Sequence, residues 1–189
     1  MFSLKSTMFR GICAAGLGLP FAGASTAQTA PPPVLGAPAP IKPSPGCNAP
    51  DYRQLDFWLG DWDTFDPGDS ATSVARAHVD LIAAGCAVHE LYEQTDGLVG
   101  DSILSFDPVR KLWQQTWVTN YGSLMVISGG FKEGVLTLEG TMHFRSGKSL
   151  PQRVTWKAAD GGVRESSVVS KDGGKTWEPA FDVLFLKHH

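Results

Sequence analysis

The sequence predicts an all-β protein, an antiparallel up-and-down β-barrel of about 8–10 strands. Short runs rich in Val, Leu, Ile, Thr and Trp alternate with turn signals that recur about every 10–14 residues. Nearly every connection has hairpin length, so successive strands should pair antiparallel, and closing into a barrel hides their edges best. A two-sheet sandwich is the alternative. The turn signals are Asp66-Pro67-Gly68, Asp96-Gly97, Asp107-Pro108, Asn120-Tyr121-Gly122, Lys132-Glu133-Gly134, Asp160-Gly161-Gly162 and Asp172-Gly173-Gly174.

The strands follow a single helical turn, which is expected between Tyr52 and Leu59. Their period-2 patterns and bounding turns place them near 61–66, 73–83, 86–94, 100–106, 111–119, 123–131, 134–141, 150–158, 162–170 and 180–187.

The first 27 residues are expected to be a signal peptide outside the fold. Lys5 and Arg10 give a positive start, residues 11–24 are apolar and uncharged, and small residues follow at suitable cleavage positions. A transmembrane anchor is the alternative, but the apolar run is shorter than the ~20 residues that a spanning helix needs. We therefore expect an exported protein, periplasmic or extracellular, without a membrane span in the mature chain.

Residues 28–46 carry seven prolines and predict a disordered, Pro-rich linker. The remaining residues, 47–189, are long enough for one barrel domain.

Loss of the signal peptide removes two positive charges and moves the formal net charge from −3 to −5. A mildly acidic chain without a Lys/Arg cluster argues against nucleic acid as a partner.

Two cysteines remain in the mature chain, Cys47 and Cys86. In an exported protein an even pair predicts a disulfide, which would stabilise the fold by roughly 4 kcal/mol in the chain-entropy model. Two free buried thiols are the alternative.

The fifth predicted strand carries the clearest candidate for a ligand site. Alternation places Trp113, Gln115 and Trp117 on one face, so that two indoles flank an amide. An apolar slot with one hydrogen-bonding group is a common lining for small-molecule pockets. Core packing with a satisfied Gln115 is the alternative.

Glu90 is the candidate polar anchor, because alternation in the third strand puts it on the same face as a valine and a tyrosine. A carboxylate at such a position is costly to bury without a partner. Arg153 or Arg164, on later strands, could supply the countercharge, either for a ligand site or as a structural ion pair.

No cofactor or metal is expected from the motifs of the chain. The five histidines lie at no recognised metal spacing. The chain also lacks a Gly-x-Ser-x-Gly elbow and a Gly-rich phosphate loop.

The segment Ser170–Trp177 matches the Ser-x-Asp-x-Gly-x-Thr-Trp box of sialidase-type propellers. In such turns the Asp caps backbone N–H groups and the Gly takes a positive φ. A propeller needs several copies and this chain has one, so Asp172, Gly174 and Trp177 are predicted to be structural, with glycosidase ancestry as the alternative.

As an ordered set, these motifs resemble a family of secreted bacterial proteins called domain of unknown function 1579. The residues that carry the resemblance are Phe57-Trp58-x-Gly60-x-Trp62, Gly85-Cys86-x-x-x-Glu90, Gly100-x-Ser102, Trp113-x-Gln115-x-Trp117-Val118 and Ser170-x-Asp172-Gly173-Gly174-x-Thr176-Trp177. The resemblance spans nearly all of 47–187 and implies a lipocalin-like, calycin-type barrel without an agreed activity.

Gly60-x-Trp62 is also similar to the Gly-x-Trp signature of lipocalins, in which the Trp closes the barrel floor under an Arg from the last strand. Here the last strand offers Lys187 in place of that Arg. Haem-binding relatives use a His from a late strand, whereas the last strand of this chain has none before His188.

Three functions remain open at this point. The leading hypothesis is an exported barrel that binds a small, partly apolar or amphipathic ligand in its lumen, lined by the Trp113 face and anchored by Glu90. The second is an enzyme that uses Glu90 as a general acid or base on a small envelope metabolite. The third is a non-catalytic interaction domain whose barrel is filled by side chains. Oligomeric state is not indicated by the sequence.

Overall fold

A computed structural model describes residues 45–69, 71–159 and 161–189. These residues form one closed barrel of ten antiparallel strands, in which each strand pairs with the next and the first pairs with the last. The predicted up-and-down barrel is confirmed, and the sandwich alternative is wrong. The predicted signal peptide and residues 28–44 of the predicted linker lie outside the described residues.

The strands are β1 (Gly60–Phe65), β2 (Ser73–Ile82), β3 (Ala87–Gln94), β4 (Val99–Asp107), β5 (Leu112–Thr119), β6 (Leu124–Lys132), β7 (Val135–His143), β8 (Ser149–Ala159), β9 (Gly162–Val169) and β10 (Glu178–Lys187). Short 3₁₀ helices occupy Pro45–Asn48, Pro50–Arg53, Asp56–Trp58 and Ala83–Gly85. One of them, Asp56–Trp58, lies within the region where a single helical turn was predicted, and Pro50–Arg53 overlaps the start of that region.

The end of the barrel at which β1 begins is filled with aromatic side chains, and we call it the closed end. Trp58, from the 3₁₀ helix Asp56–Trp58, is fully buried. Its ring centroid lies 5.9 Å from that of Phe185 and 6.1 Å from that of Trp156. Trp62 Nε1 donates a hydrogen bond of 2.8 Å to the carbonyl of Trp58. The 3₁₀ helix therefore seals this end by apolar packing and one buried hydrogen bond.

The predicted disulfide between Cys47 and Cys86 is present, with the two Cα atoms 5.0 Å apart. It joins the segment ahead of β1 to the connection between β2 and β3. Arg53 Nη2 reinforces the same junction, because it donates to the carbonyl of Gly85 at 2.5 Å. The entry segment is thus fixed to the closed end by a covalent link and by a hydrogen bond.

The loop between β9 and β10 contains the Ser170–Trp177 box. Asp172 Oδ1 accepts the backbone N–H of Thr176 at 2.9 Å, and the Thr176 hydroxyl donates to Asp172 Oδ2 at 2.7 Å. These bonds from Thr176, with a further one from Ser170, lower the pKa of Asp172 to about 2. Gly174 has φ +94° and Trp177 is half-buried. The box therefore folds as a capped turn that leads into β10.

Candidate ligand site in the barrel lumen

A chain of buried polar side chains crosses the inner wall of β3, β4 and β5. Glu90 and Ser102 lie opposite each other in the β3–β4 register, and the Ser102 hydroxyl donates to Glu90 Oε2 at 3.1 Å. Gln115 Nε2 in turn donates to Ser102 Oγ at 3.3 Å. The exposed fractions are 3% for Glu90, 1% for Ser102 and 2% for Gln115. Hydrogen bonding within the chain stabilises polar groups that would otherwise be costly at this depth.

One hydrogen-bond acceptor in this row of buried side chains has no partner within the part of the chain that the structure describes. Gln115 Oε1 is buried and has no hydrogen-bond partner among the described residues. An unpaired buried acceptor costs about 1–3 kcal/mol, so a donor that reached it would stabilise the site.

A second carboxyl, Glu165, lies on the inner wall of β9. Its neighbours at alternate positions, Val163 and Ser167, are buried, whereas Arg164 points outward to Asp182. Glu165 is opposite the fully buried Trp156 in the β8–β9 register, yet it keeps part of its surface accessible. Glu165 is therefore an inner-wall acid that packed protein does not cover completely.

The two carboxyls disfavour each other's charge. Burial raises the pKa of Glu90 to about 7, against opposing effects of the Ser102 hydroxyl and the charge of His89. Burial and then the charge of Glu90 raise the pKa of Glu165 well above its ordinary value. The indole N–H of Trp156 partly offsets that rise, although Nε1 lacks the geometry of a full hydrogen bond. At neutral pH Glu90 is therefore partly protonated, and burial disfavours the charged form of both carboxyls.

Tyr92 and Trp117 form an aromatic wall beside the carboxyls. Their ring centroids lie 6.2 Å apart with the planes at 66°, and both side chains are half-buried. Burial, with the charges of Glu165 and Glu90, raises the pKa of the Tyr92 phenol to about 12, against a hydrogen bond with Thr64. Gly100 makes room for this wall, because a Cβ there would overlap the ring of Trp117.

The three residues predicted to line a slot are all on the inner wall, but they do not lie at one depth. Trp113 is fully buried beside Phe106, at a centroid distance of 5.8 Å. Its Nε1 donates to Gln54 Oε1 at 2.9 Å, which ties Trp113 to the entry segment. The accessible part of the candidate site therefore contains Gln115 and Trp117, while Trp113 is part of the packed core.

Neither arginine proposed as a countercharge lies near Glu90. Arg153 Nε donates to Glu139 Oε1 at 2.6 Å on the outside of the barrel. Arg164 Nε donates to Asp182 Oδ1 at 2.8 Å, also on the outside. The expectation of a Glu90–Arg pair across the lumen is corrected, because one-residue alternation turns both guanidinium groups outward. Another inner-wall acid, Glu165, is the carboxyl whose pKa the charge of Glu90 raises.

The sequence patterns did not single out Glu165. The signal was the alternation Val163-x-Glu165-x-Ser167, which gives Glu165 the same face as a strongly apolar residue. The other face of that strand carries Val168 with Arg164, so the pattern alone did not settle which side points inward.

Three of the histidines, His78, His89 and His188, lie beside acids on the outer surface, whereas His143 Nδ1 contacts the Ser149 hydroxyl. His78 Nδ1 is 2.7 Å from Asp61 Oδ1, and His89 lies between Asp80 and Asp101 at 3.1 and 3.2 Å. Across residues 45–69, 71–159 and 161–189, no group of three or more His, Cys, Asp or Glu is arranged to hold a metal ion. In the same part of the chain, no helix is both long and apolar enough to cross a membrane.

Comparison with known proteins adds no assignment to this geometry. No protein-family model matches the chain, and no curated protein matches it.

Proposed function

We propose that this protein is an exported barrel that binds a small, partly apolar ligand in its lumen. The observation that carries the proposal is the buried chain from Gln115 through Ser102 to Glu90, faced by Glu165. In a barrel that serves only as a scaffold, apolar side chains would fill these positions at lower cost. A few polar groups converging in an otherwise apolar interior are typical of a small-molecule site.

The apolar part of the ligand would lie against the far half of the lumen, away from the closed end. The inner wall there presents Trp117 and Tyr92, together with Met125 and Met142, which are opposite each other in the β6–β7 register. Methionine side chains adapt to varied ligand shapes, and aromatic faces give large contact areas.

Export is supported by the disulfide between Cys47 and Cys86, because such bonds persist mainly in oxidising compartments. We further propose that the chain shares its barrel and its location with the domain of unknown function 1579 family that it resembles.

Lumen binding is tested with N-phenylnaphthylamine, an uncharged dye that fluoresces in apolar surroundings. The wild-type protein should bind the dye. Val183→Trp, which adds an indole to the inner wall beside Glu165, should abolish binding. Val118→Trp, which adds the same group on the exposed outer face of β5, should leave binding unchanged. Circular dichroism establishes that both variants fold.

Native mass spectrometry of the freshly purified protein, before and after denaturation, provides an independent test. Mass released on unfolding would reveal a resident ligand. Absence of released mass together with absence of dye binding by the wild type would contradict the proposal and favour an interaction domain with a filled barrel.

An acid–base enzyme is a second candidate, favoured by the Glu90 pKa of about 7. A carboxyl that titrates near neutral pH can both donate and accept a proton at useful rates. The test compares wild type, Glu90→Gln and the outward-facing control Glu93→Gln for turnover of small esters and isomerisable ketones. Turnover that survives in Glu90→Gln would remove this candidate.

A further inference from the structure

We infer that the lumen selects ligands that carry an ammonium group, held between Glu90, Glu165 and the free oxygen of Gln115. This inference rests on the proposed lumen binding and names the chemical class of its ligand: a small apolar amine, cationic at neutral pH.

Around Glu90, Ser102 and Gln115, hydrogen-bond acceptors exceed donors, and a donor unpaired among the described residues, Trp156 Nε1, belongs to the residue opposite Glu165. Glu90 receives one hydrogen bond, from Ser102, whose own oxygen is already bonded by Gln115. Gln115 Oε1 receives none and is buried. Glu165 adds a second carboxyl on the inner wall, and part of this residue's surface is accessible. A ligand group that fits this set must be a multiple donor, and an ammonium group has three N–H bonds to give.

Positive charge is missing from the lumen around this cluster. Along the ten strands, within the residues that the structure describes, Arg153 and Arg164 point outward to Glu139 and Asp182. Lys187 is held at the closed end, where it donates to the carbonyl of Leu59. The other strand cations, Arg76, Lys132 and Lys157, are exposed, so no lysine or arginine of the described strands neutralises the carboxyls from inside the barrel.

An ammonium group would supply the positive charge that this part of the inner wall lacks. Its charge would lie between two carboxyls that folding has already removed from water, so binding would not repeat the cost of their desolvation. Each N–H···O contact would be charge-assisted and therefore stronger than a neutral hydrogen bond. The adjacent faces of Tyr92 and Trp117 suit both the cation and an apolar skeleton. A carboxylate ligand would meet repulsion from the same groups.

The inference is tested by displacing N-phenylnaphthylamine with octylamine, octanol and octanoate, which share one alkyl chain and differ in the head group. We expect octylamine to displace the dye at a concentration about tenfold or more below that of octanol, with octanoate the weakest. Equal displacement by octylamine and octanol, or stronger displacement by octanoate, would overturn the inference and leave lumen binding intact. Absence of dye binding by the wild type would instead remove lumen binding, and the inference with it.

Variants identify the side chains that cause the preference for octylamine over octanol. Glu165→Gln and Glu90→Gln should each weaken the binding of octylamine by about tenfold, since one charge-assisted contact becomes neutral. The binding of octanol should stay unchanged. Both variants resemble the protonated carboxyl that the fold prefers, so they should remain folded. Glu93→Gln removes a carboxylate from the outer face of β3 and controls for the charge of the whole protein. If Glu93→Gln weakened the binding of octylamine as much as the inner-wall variants did, the preference would arise from attraction of the amine to the negative charge of the whole protein. The inference would then fail.

Discussion

The Lys187 ammonium lies over the indole of Trp62, with Nζ 3.7 Å from the ring centroid. The two residues are direct partners in the register between β10 and β1. Nζ also donates to the carbonyl of Leu59 at 2.7 Å, just before β1 begins. A single side chain on the last strand therefore joins the first strand and the entry segment where the barrel closes.

Lys187→Met should lower the free energy of unfolding by about 1–2 kcal/mol, because it removes a cation–π contact and leaves a carbonyl without its donor. Lys187→Arg should retain most of the stability, since a guanidinium can satisfy both contacts. Urea denaturation followed by tryptophan fluorescence measures the difference. Lys157→Met, on the outer face of β8, is the matched control, and an equal loss there would contradict the assigned role.

Gly60→Ala should destabilise the fold by about 1–3 kcal/mol, because backbone strain and a steric clash coincide at this position. Gly60 has φ +126°, and a Cβ there would overlap Lys187 Nζ. Gly130→Ala is the control, since a Cβ at Gly130 meets no atom within 4 Å. Equal urea midpoints for the two variants would show that neither constraint matters.

The buried carboxyls predict a stability that falls as pH rises. Glu90 titrates at about 7 in the folded protein, against its ordinary value of 4.5. Between these values the folded state binds more protons than the unfolded state. The free energy of unfolding should therefore decrease through that window, by up to about 3 kcal/mol.

Glu90→Gln should flatten this dependence and be more stable than wild type above neutral pH, because it stays uncharged. Urea midpoints measured at about pH 5 and pH 8 test the prediction, and a wild-type midpoint that rises with pH would refute it.

Replacing both Cys47 and Cys86 with serine should cost about 4 kcal/mol in the chain-entropy model, because the disulfide closes a separation of 39 residues. The wild-type protein in reducing agent should lose a similar amount, while the double variant should not respond to reductant. A reductant effect of equal size on the double variant would mean that the loss arises elsewhere.

Turn chemistry and alternation within single strands were sufficient to predict the barrel and to put Gln115 and Trp117 on one face of β5, but not to decide which face of each strand lines the lumen. Interactions between side chains on opposite walls of the barrel were not predictable in this way. The charge of Glu90 affects the pKa of Glu165 only because the sheet curves until β9 faces β3. That curvature depends on how all ten strands pair.

The outer ion pairs were missed for a related reason. Arg153 is the direct register partner of Glu139 in the β7–β8 pair, so a shift of one residue would have turned it into the lumen. The depth of Trp113 could not be read from its strand either, because its partner Gln54 belongs to the entry segment.

The strand order also determines how the chain must fold. Every pairing but one joins strands that are consecutive in sequence, so nine hairpins can form locally and fast. The remaining pairing, β1 with β10, brings together segments from opposite ends of the domain, and it spans only the stretch from Trp62 to Phe65 on β1. Until Lys187 has emerged and docked, a growing chain presents two unpaired edges that invite intermolecular strand addition. Protection against aggregation therefore depends on the pairing of β1 with β10, which is the last to form and the shortest.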